Sequence, residues 1–457
     1  MRPTRWRRST YAVVGVVVVL VIAAVVTAAA LLANRPTPQK VAVEPAPAPA
    51  TARPGVVPVS DTADEPTPAG LAAALAPALA DPNLGKFTGR VTDAFSGQEL
   101  WAQGAHVPMQ PASVNKVLTT AAALLTLDRD ARLTTRVLST SPGVVVLVGG
   151  GDPTLSAAPR GQDTWYRDAA RIVDLADQVR RSGVAVRTVQ VDVSAYSGPT
   201  MAPGWDPLDI DGGDIAPMES VMLDGGRTQP VSVDSARSRT PALDAGRALA
   251  VALHVDPATV TVLPSAATGK EIASVQSPPL MERLRDLMNA SDNVMAESTG
   301  RQVAAALHRP QSFDGAVGAV LNALERADID TGGVHLVDSS GLSVDDRLTA
   351  LTLDGVVNAA AGDTEPKLRP LVDLLPIAGG SGTLSNRYLD TAAGRAALGF
   401  LRAKTGSLTA TNSLAGVVTD ASGRVLTFAL LSNEAGPSGR TALDAVAATL
   451  RSCGCRT

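Results

Sequence analysis

Residues 111–127 read Pro-Ala-Ser-Val-Asn-Lys-Val-Leu-Thr-Thr-Ala-Ala-Ala-Leu-Leu-Thr-Leu, and the rest of the chain is interpreted outward from here. Apolar residues recur at helical spacing from Val117 to Leu127, which predicts a helix that starts close to Ser113. Residues three apart lie on one face of a helix, so the Ser113 hydroxyl and the Lys116 amine can meet. At a helix start, unpaired backbone N–H groups favour developing negative charge. The stretch therefore predicts a serine nucleophile beside a lysine.

Lysine, unlike arginine, can act as a general base when its surroundings lower its pKa, and a serine hydroxyl needs such a base. A lone Ser-x-x-Lys pair carries little weight, because surface helices contain many such pairs. The composition adds weight, since arginine fills most of the 40 basic positions. Lysine occurs only at Lys40, Lys86, Lys116, Lys270, Lys367 and Lys404.

Two further short motifs follow in the chain. Ser291-Asp-Asn293 lies in a segment predicted to be helical, 280–307, and on its own it is typical of a capped or kinked helix end. Lys404-Thr-Gly406 follows a strand predicted over 397–403. One interpretation of that lysine is an edge-strand charge before a turn. The other is a strand that pairs with an extended substrate while the lysine offers charge to a carboxylate.

Ser-x-x-Lys, Ser-Asp-Asn and Lys-Thr-Gly, in this order, form the set found in class A β-lactamases and penicillin-binding proteins. The chain resembles the D-alanyl-D-alanine carboxypeptidase/endopeptidase branch of the low-molecular-mass penicillin-binding proteins, often called class C. Other segments extend the resemblance over the part that follows the N-terminal region. These are Gly149–Leu155, Ala202–Trp205, Asp338–Ser343 and Leu375–Leu384.

The resemblance implies a role for each motif residue. Ser113 would attack the carbonyl of the penultimate D-Ala, Lys116 would take its proton, and Ser291 would relay a proton to the leaving D-Ala. Backbone N–H groups of Ser113 and Ser407 would form the oxyanion hole. The residues expected to bind substrate are Asn293, Lys404, Thr405, Gly406, Ser407 and Asp209.

The fold that the resemblance implies is an α/β (α+β) transpeptidase-like domain with an antiparallel central sheet, interrupted by a smaller inserted domain. Strands at both ends of this region with helices between them point to the same class. We expect residues 69–138 and 278–457 to form the peptidase domain and 139–277 the insert. That insert is shorter than in the largest family members, so one of their accessory domains is expected to be reduced or missing.

Recognition of the substrate side chain departs from the family pattern. The family can place an arginine after the Ser-Gly-Leu-Ser segment to hold the carboxylate of a diaminopimelate side chain. This chain has Val344 there, with Arg347 three residues on as a substitute. An acidic residue shortly after Pro-Gly-Trp can hold the amine, and Asp209 or Asp206 occupies that place.

The N-terminal region predicts export. Arginines at positions 2, 5, 7 and 8 precede an apolar run from Tyr11 to Ala33, which exceeds the roughly 20 residues that span a bilayer. Positive charge before the run predicts a cytoplasmic tip and an extracytoplasmic remainder. A cleaved signal is the alternative, but a signal core usually has only about 7–15 residues, so an uncleaved anchor over 1–33 is favoured. The proline-rich stretch 34–68 predicts an extended tether.

Other classes of function find little support. The formal net charge of −4 does not suggest a nucleic-acid partner. The four histidines lack metal-ligand spacing, so we expect no metal and no cofactor. Cys453 and Cys455 are too few for a disulfide framework and suggest at most a local pair.

The sequence thus predicts a serine carboxypeptidase or endopeptidase acting on peptidoglycan stem peptides, with β-lactams as covalent inhibitors. A β-lactamase would share the motifs, although no deacylating glutamate can be assigned. A catalytically idle wall-binding scaffold is the third hypothesis, and the presence of every key side chain argues against it. Location at the cell membrane, or secretion if the signal is cleaved, follows from the N-terminal region.

Overall fold

The computed structural model describes residues 6–33, 62–263 and 265–453. The chain divides into two compact units, 1–56 and 57–457, and each is described by itself. The predicted tether 34–68 lies outside the described residues as far as residue 61, as does Cys455.

The first unit contains one helix, α1, over Trp6–Ala33. Large apolar side chains between Val16 and Val26 are exposed on it. A search of the described ranges finds no helix with the length and apolar character needed to cross a membrane.

The described part of the second unit holds ten strands in two five-stranded sheets. The strands are β1 Lys86–Asp93, β2 Glu99–Gln103, β3 Thr134–Ser141, β4 Val144–Val148, β5 Thr188–Asp192, β6 Thr261–Leu263, β7 Lys270–Gln276, β8 Leu401–Leu408, β9 Thr411–Thr419 and β10 Val425–Asn433.

Twelve α-helices of the described ranges surround these sheets. They are α2 Pro68–Leu79, α3 Lys116–Thr126, α4 Ile172–Arg181, α5 Leu208–Gly212, α6 Pro241–Ala252, α7 Leu280–Ala290, α8 Asn293–Ala306, α9 Phe313–Glu325, α10 Ala350–Ala361, α11 Pro370–Leu374, α12 Ala392–Ala397 and α13 Gly439–Ser452.

The central sheet runs in the order β2-β1-β10-β9-β8 and is antiparallel throughout. Its two faces bury alternate side chains of the same strands, since successive strand residues point to opposite sides. Phe428 and Leu430 pack with α2 and α13 on one face, whereas Ala429 and Leu431 join the core formed by α3, α8, α9 and α10 on the other. Burial on both faces explains why β9 and β10 read as continuous apolar runs in the sequence. The predicted antiparallel central sheet is confirmed.

The second sheet has the order β6-β5-β4-β3-β7 and is formed entirely by residues 134–276. It is mixed, because β4 pairs with β5 and β5 pairs with β6 in parallel. Its covered face packs on α4 and α6 through a core of valine, leucine and alanine. This sheet is the inserted smaller domain that the sequence predicts. The domain limits 139–277 themselves stay a prediction.

Two predicted elements differ from the observed ones. The helical segment 280–307 is two helices, because Ser291 takes a left-handed conformation (φ 57°) between α7 and α8. The strand predicted from residue 397 begins at Leu401, since α12 ends at Ala397 and Gly399 turns the chain at φ 76°. Hydropathy alone does not reveal these left-handed turns.

Candidate active site

Ser113 lies in a short 3-10 turn, Ala112–Asn115, that leads directly into α3. Its neighbour Ala112 has φ 51°, a conformation that costs energy for a residue with a Cβ and that persists only where the surroundings enforce it. Gly341 allows a second segment of chain to pack directly against this turn, because a Cβ there would lie 1.9 Å from the Ala112 carbonyl oxygen. The nucleophile therefore sits on a strained turn clamped by a second segment of chain.

The Lys116 amine is fully buried and has three hydrogen-bond partners. Its Nζ lies 2.9 Å from Ser113 Oγ, 2.6 Å from Asn293 Oδ1 and 2.7 Å from the Ser340 carbonyl oxygen. The amide oxygen and the carbonyl oxygen can only accept hydrogen bonds. A neutral amine therefore donates one N–H to each of them and keeps its lone pair for the Ser113 hydroxyl. Of the three, only the Ser113 hydroxyl can give a proton to Lys116.

Burial lowers the pKa of Lys116 to about 8. The carboxylates of Asp338, Asp292, Glu297 and Asp346 work against burial, since negative charge favours the ammonium form. A base that titrates close to neutral pH is suited to take and return a proton.

Ser291 connects the second motif to the third. Its backbone conformation, which ends α7, lets the hydroxyl face the strand of Lys404, whose Nζ lies 2.8 Å from Ser291 Oγ. Lys404 also donates to the Thr405 carbonyl at 2.8 Å. Burial, with the nearby Lys116 charge next, holds the pKa of Lys404 well below its usual value. An anion bound at Lys404 would offset both effects.

Asn293 opens α8 and bridges two parts of the molecule. While its Oδ1 accepts from Lys116, its Nδ2 donates to the Asp214 carbonyl at 3.0 Å. Asp292, just before it, caps the helix by accepting from the Met295 N–H at 3.0 Å. Both ends of the Asn293 amide are thus fixed in one orientation.

Gly406 lets β8 approach the nucleophile. A Cβ at this position would overlap Ser413 and lie 2.7 Å from the Pro111 carbonyl oxygen and 2.9 Å from the Ser113 nitrogen. Only glycine fits there without a shift of the strand or of the nucleophile turn. The next residue, Ser407, is exposed.

β8 is the edge strand of the central sheet, and its outer side is half covered. Segment 376–378 bonds to the backbone of Leu401 and Ala403 at 2.9 Å. Alternate residues of an antiparallel strand present their N–H and C=O groups to the same side, so Thr405 and Ser407 present theirs outward as Ala403 does. In the described ranges, no strand pairs with this second half. An extended chain can therefore add to it.

The loop 338–343 packs against the nucleophile turn and supports it. Asp338 accepts from the N–H groups of Ser340, Gly341 and Ser343 at 2.6–2.9 Å and from Trp205 Nε1 at 2.7 Å. The loop then returns its Ser340 carbonyl to Lys116. This segment is part of the resemblance seen in the sequence, but residue types alone assign no role to the Ser340 carbonyl.

Thr383 is a second residue of the site that lies outside the three motifs. Its Oγ1 accepts from Thr405 Oγ1 at 2.8 Å, which fixes the threonine of the third motif. Thr383 belongs to the Leu375–Leu384 segment, whose glycine-rich sequence gave a signal but no assignable function.

Asp209, predicted to bind substrate, is half-buried in α5 and takes part through its neighbour. Its carbonyl accepts from the Asp214 N–H at 2.9 Å, and it is the Asp214 carbonyl that meets Asn293. Burial and the charge of Asp214 raise the pKa of Asp209. Arg347, the expected substitute at the carboxylate position, is exposed but donates to the backbone carbonyls of Val344 and Asp346.

No set of three or more histidine, cysteine, aspartate or glutamate side chains is arranged to hold a metal ion within the described ranges. The arrangement as found is that of acid–base and nucleophilic chemistry. A serine, a base with a lowered pKa and an ordered lysine–serine pair meet beside an open strand edge.

Comparison with known proteins gives a consistent assignment. The sequence model of the D-Ala-D-Ala carboxypeptidase 3 (S13) family matches residues 71–236 and 231–450, and that of a carboxypeptidase Rv3627c-like N-terminal domain matches residues 1–58. Carboxypeptidase DacB of Mycolicibacterium smegmatis is 73% identical over 458 residues, and carboxypeptidase Rv3627c of Mycobacterium tuberculosis is 63% identical over 461, each covering 100% of both chains.

The fold has a solved counterpart in penicillin-binding protein 4 of Haemophilus influenzae. That crystal structure superposes with a TM-score of 0.66 at 23% identity and covers 83% of this chain and 97% of its own. The same protein has been solved in complex with a novel β-lactam. Since the family model covers most of the chain and the mycobacterial relatives match it end to end, this chain belongs to the D-Ala-D-Ala carboxypeptidase 3 (S13) family.

Proposed function

We propose that this protein is a serine D-Ala-D-Ala carboxypeptidase that acts on peptidoglycan stem peptides through an acyl-enzyme at Ser113. The observation that carries the proposal is the contact between Lys116 Nζ and Ser113 Oγ at 2.9 Å. The other two partners of that amine are acceptors, so its neutral form is oriented to take the serine proton.

Acylation begins when the terminal D-Ala-D-Ala lies along the open half of β8. Lys116 takes the Ser113 proton while Oγ attacks the carbonyl of the penultimate D-Ala. The backbone N–H groups of Ser113 and Ser407 receive the negative charge that develops on the carbonyl oxygen. When the C–N bond breaks, the Ser291 hydroxyl gives its proton to the leaving amine and receives in return the proton that Lys116 took from Ser113, so Lys116 is neutral again. Lys404 stabilises the charge that develops on the Ser291 oxygen during this relay.

The terminal carboxylate binds at Lys404 and Thr405. Its charge favours the ammonium form of Lys404, which burial otherwise disfavours. Thr405 is held for this contact by Thr383. Backbone groups on the outer side of Thr405 and Ser407 pair with the peptide as an added strand.

Deacylation reverses the acid and base roles. A water molecule replaces the leaving D-Ala, Lys116 takes its proton, and the acyl bond to Ser113 breaks as the serine recovers a proton. Glu297 gives no support to the β-lactamase alternative. It is fully buried, accepts from the Ser339 N–H at 2.9 Å and pairs with Arg301, so it is not directed at the acyl group.

Asp209, together with Asp206 and Asp214, is proposed to recognise an amine on the third residue of the stem peptide. These three carboxylates lie in or next to α5, and the charges of Asp214 and Asp206 add to the burial that raises the pKa of Asp209. A cationic group on the substrate would relieve this repulsion. Inhibition by penicillin is proposed because the related Haemophilus protein has been solved with a β-lactam.

We further propose that the catalytic unit acts outside the cytoplasm, where peptidoglycan is, and that residues 11–33 attach it to the membrane. The proposal rests on the arginines before this apolar run. Carbonate extraction of membranes from expressing cells tests it. Release of the full-length protein into the soluble fraction would contradict the anchor.

The main experiment measures covalent labelling by a fluorescent penicillin together with D-Ala release from defined muropeptides. The native protein should be labelled and should release D-Ala, and Ser113→Ala should do neither. Ser197→Ala, which alters an exposed serine, is the matched control and should behave as the native protein. Labelling of Ser113→Ala at the native level would refute the nucleophile.

The same samples separate the alternatives. Cleavage of cross-linked dimers alongside D-Ala release gives the endopeptidase share. A chromogenic cephalosporin should give a burst of about one equivalent that then stalls, as expected of an acyl-enzyme that deacylates slowly. Sustained hydrolysis would instead indicate a β-lactamase. Peptidoglycan binding without D-Ala release would indicate the scaffold.

A further inference from the structure

We propose that Tyr166, a residue of the inserted domain, positions the turn Ser291–Asn293 through a hydrogen bond to Asp292, so that the rate of Ser113 acylation depends on the insert. The inference rests on the proposed function, because Ser291 and Asn293 matter to the rate only if Ser113 is acylated. Tyr166 is a positioning residue and does not touch the reacting atoms.

The hydrogen bond between Tyr166 and Asp292 is short and shielded from solvent. Tyr166 is 1% exposed, and its hydroxyl donates to Asp292 Oδ2 at 2.7 Å. Burial, and then the Asp292 charge, raise the pKa of Tyr166 well above its usual value, so the hydroxyl stays a donor at working pH. The ring belongs to the main apolar core, to which α3 and α8 also contribute. The next-door Trp165 lies 3.5 Å below the Arg227 guanidinium, which fixes the segment.

Asp292 sits between two residues of the proposed chemistry. Its Oδ1 caps α8 through Met295, and its Oδ2 receives Tyr166, so each carboxylate oxygen has a separate task. Burial alone would raise the pKa of Asp292, but Arg237, the Met295 N–H and Tyr166 together hold it below its ordinary value. The carboxylate is therefore ionised and needs its donors.

The turn Ser291–Asn293 needs this support because its backbone is strained. Ser291 holds φ 57° although it has a Cβ, a strained conformation that persists only when neighbours enforce it. Asp292 follows directly, and the bond to Tyr166 restrains it from the side of the insert. A relaxed turn would move Ser291 Oγ away from Lys404 and Asn293 Oδ1 away from Lys116.

Gly225 shows that the insert is fitted to this contact. A Cβ at Gly225 would lie 2.5 Å from the Tyr166 hydroxyl oxygen and 2.8 Å from Arg237 Nη1. The Gly225 backbone also accepts from Arg237 Nη1 at 2.6 Å. Tyrosine and arginine thus converge over a bare backbone, and both act on Asp292, one by a hydrogen bond and one by charge.

A second route from the insert reaches the same turn. Arg237 Nε donates to the Gly213 carbonyl at 2.9 Å, and the next carbonyl, that of Asp214, accepts from Asn293 Nδ2. The turn is held on both sides of Asp292 by segments that lie between residues 139 and 277. A tyrosine that served only to fill the core would not need its hydroxyl directed at this carboxylate.

Tyr166→Phe removes the hydroxyl and keeps the ring. With a labelled penicillin under saturating and subsaturating conditions, the first-order acylation constant should fall roughly tenfold, the effect of a lost hydrogen bond to a charged group. The dissociation constant of the preceding non-covalent complex should change less than about twofold, since Lys404 and Thr405 are untouched. Tyr196→Phe is the matched control and should keep the native constants, because its hydroxyl bonds to the Gly151 carbonyl at 3.3 Å and interacts with Ser298, not with Asp292.

A double-mutant cycle shows whether Tyr166 acts through Asp292. Asp292→Asn keeps the helix cap, and adding Tyr166→Phe to it should lower the acylation constant by no more than about a further twofold. A full tenfold loss in that background would overturn the proposed route. Native acylation of Tyr166→Phe, or a loss that lies wholly in the dissociation constant, would overturn the proposal.

Thermal unfolding of each variant accompanies these rates. If Tyr166→Phe does not fold, Gly225→Ala displaces the hydroxyl while retaining it, and native acylation by that variant would equally refute the proposal. Absence of labelling in the native protein would instead refute the proposed function and this inference with it. A native protein that is labelled and a Tyr166→Phe variant that matches it would refute this inference alone.

Discussion

The pH dependence of Ser113 acylation should follow the protonation of Lys116, because only the neutral amine can accept the serine proton. With a pKa of about 8, roughly 1% of the amine is neutral at pH 6, about 10% at pH 7 and half at pH 8. An ordinary lysine of pKa 10.5 would be neutral in only about one molecule in 3,000 at pH 7. Burial of this amine therefore makes about 300 times more of the active form available.

The acylation constant should rise about 50-fold between pH 6 and pH 8 and level off above about pH 9. The carboxylates that face Lys116 modify this curve. Asp292→Asn removes one negative charge that favours the ammonium, so its midpoint should move to lower pH. Burial and the Asp338 charge raise the pKa of Glu297 to about 7, so Glu297 ionises in the same range and should broaden the transition.

Stopped-flow mixing with a saturating fluorescent penicillin measures the first-order constant free of changes in affinity. Lys270→Met, which alters an exposed lysine, is the control and should leave the profile unchanged. A constant that does not vary from pH 6 to pH 9 would refute Lys116 as the base. A rise of tenfold per unit that continues to pH 10 would refute the effect of burial on its pKa.

Gly406→Ala should lower the acylation constant at least about tenfold, since its Cβ would be forced to within 2.9 Å of the Ser113 nitrogen. Gly355→Ala, where a Cβ meets only ordinary contacts in α10, should be stable and fully active in the same labelling assay. For Lys404, KM for a peptide with a free terminal carboxylate should rise toward alkaline pH, whereas an amidated peptide should show no such trend in the same kinetic series. Arg387→Met should lower the free energy of unfolding in urea by about 3 kcal/mol, because the Asp444 carboxylate on α13 then loses its ion-pair partner while it stays largely buried. An unchanged urea midpoint would contradict this.

Much of the central sheet and its strands could be predicted from local patterning. β9 and β10 read as continuous apolar runs, because burial on both faces leaves a direct record in the sequence. The α7–α8 boundary could not be predicted, since Ser291 breaks the helix by a positive φ that its neighbours impose. The mixed pairing of the second sheet was also hidden, because patterning reveals strands and not their partners.

The candidate site divides in the same way. Ser113, Lys116, Ser291, Asn293 and Lys404 could be named from three short motifs, since their residue types and order are distinctive. The residues of other segments that contact them could not be identified from motifs. The Ser340 carbonyl, Thr383 and Tyr166 act through a backbone oxygen or a common side chain and leave no motif.

By itself, the sequence determined which groups carry the chemistry: a serine and a lysine three residues apart, and a second lysine in a chain that fills most of its basic positions with arginine. The tertiary structure decided the state of those groups. Lys116 becomes a base because segments more than 150 residues away enclose it, remove its water and leave it one proton donor. A pKa depends on desolvation and on charges brought close in space, and these exist only once the chain has folded.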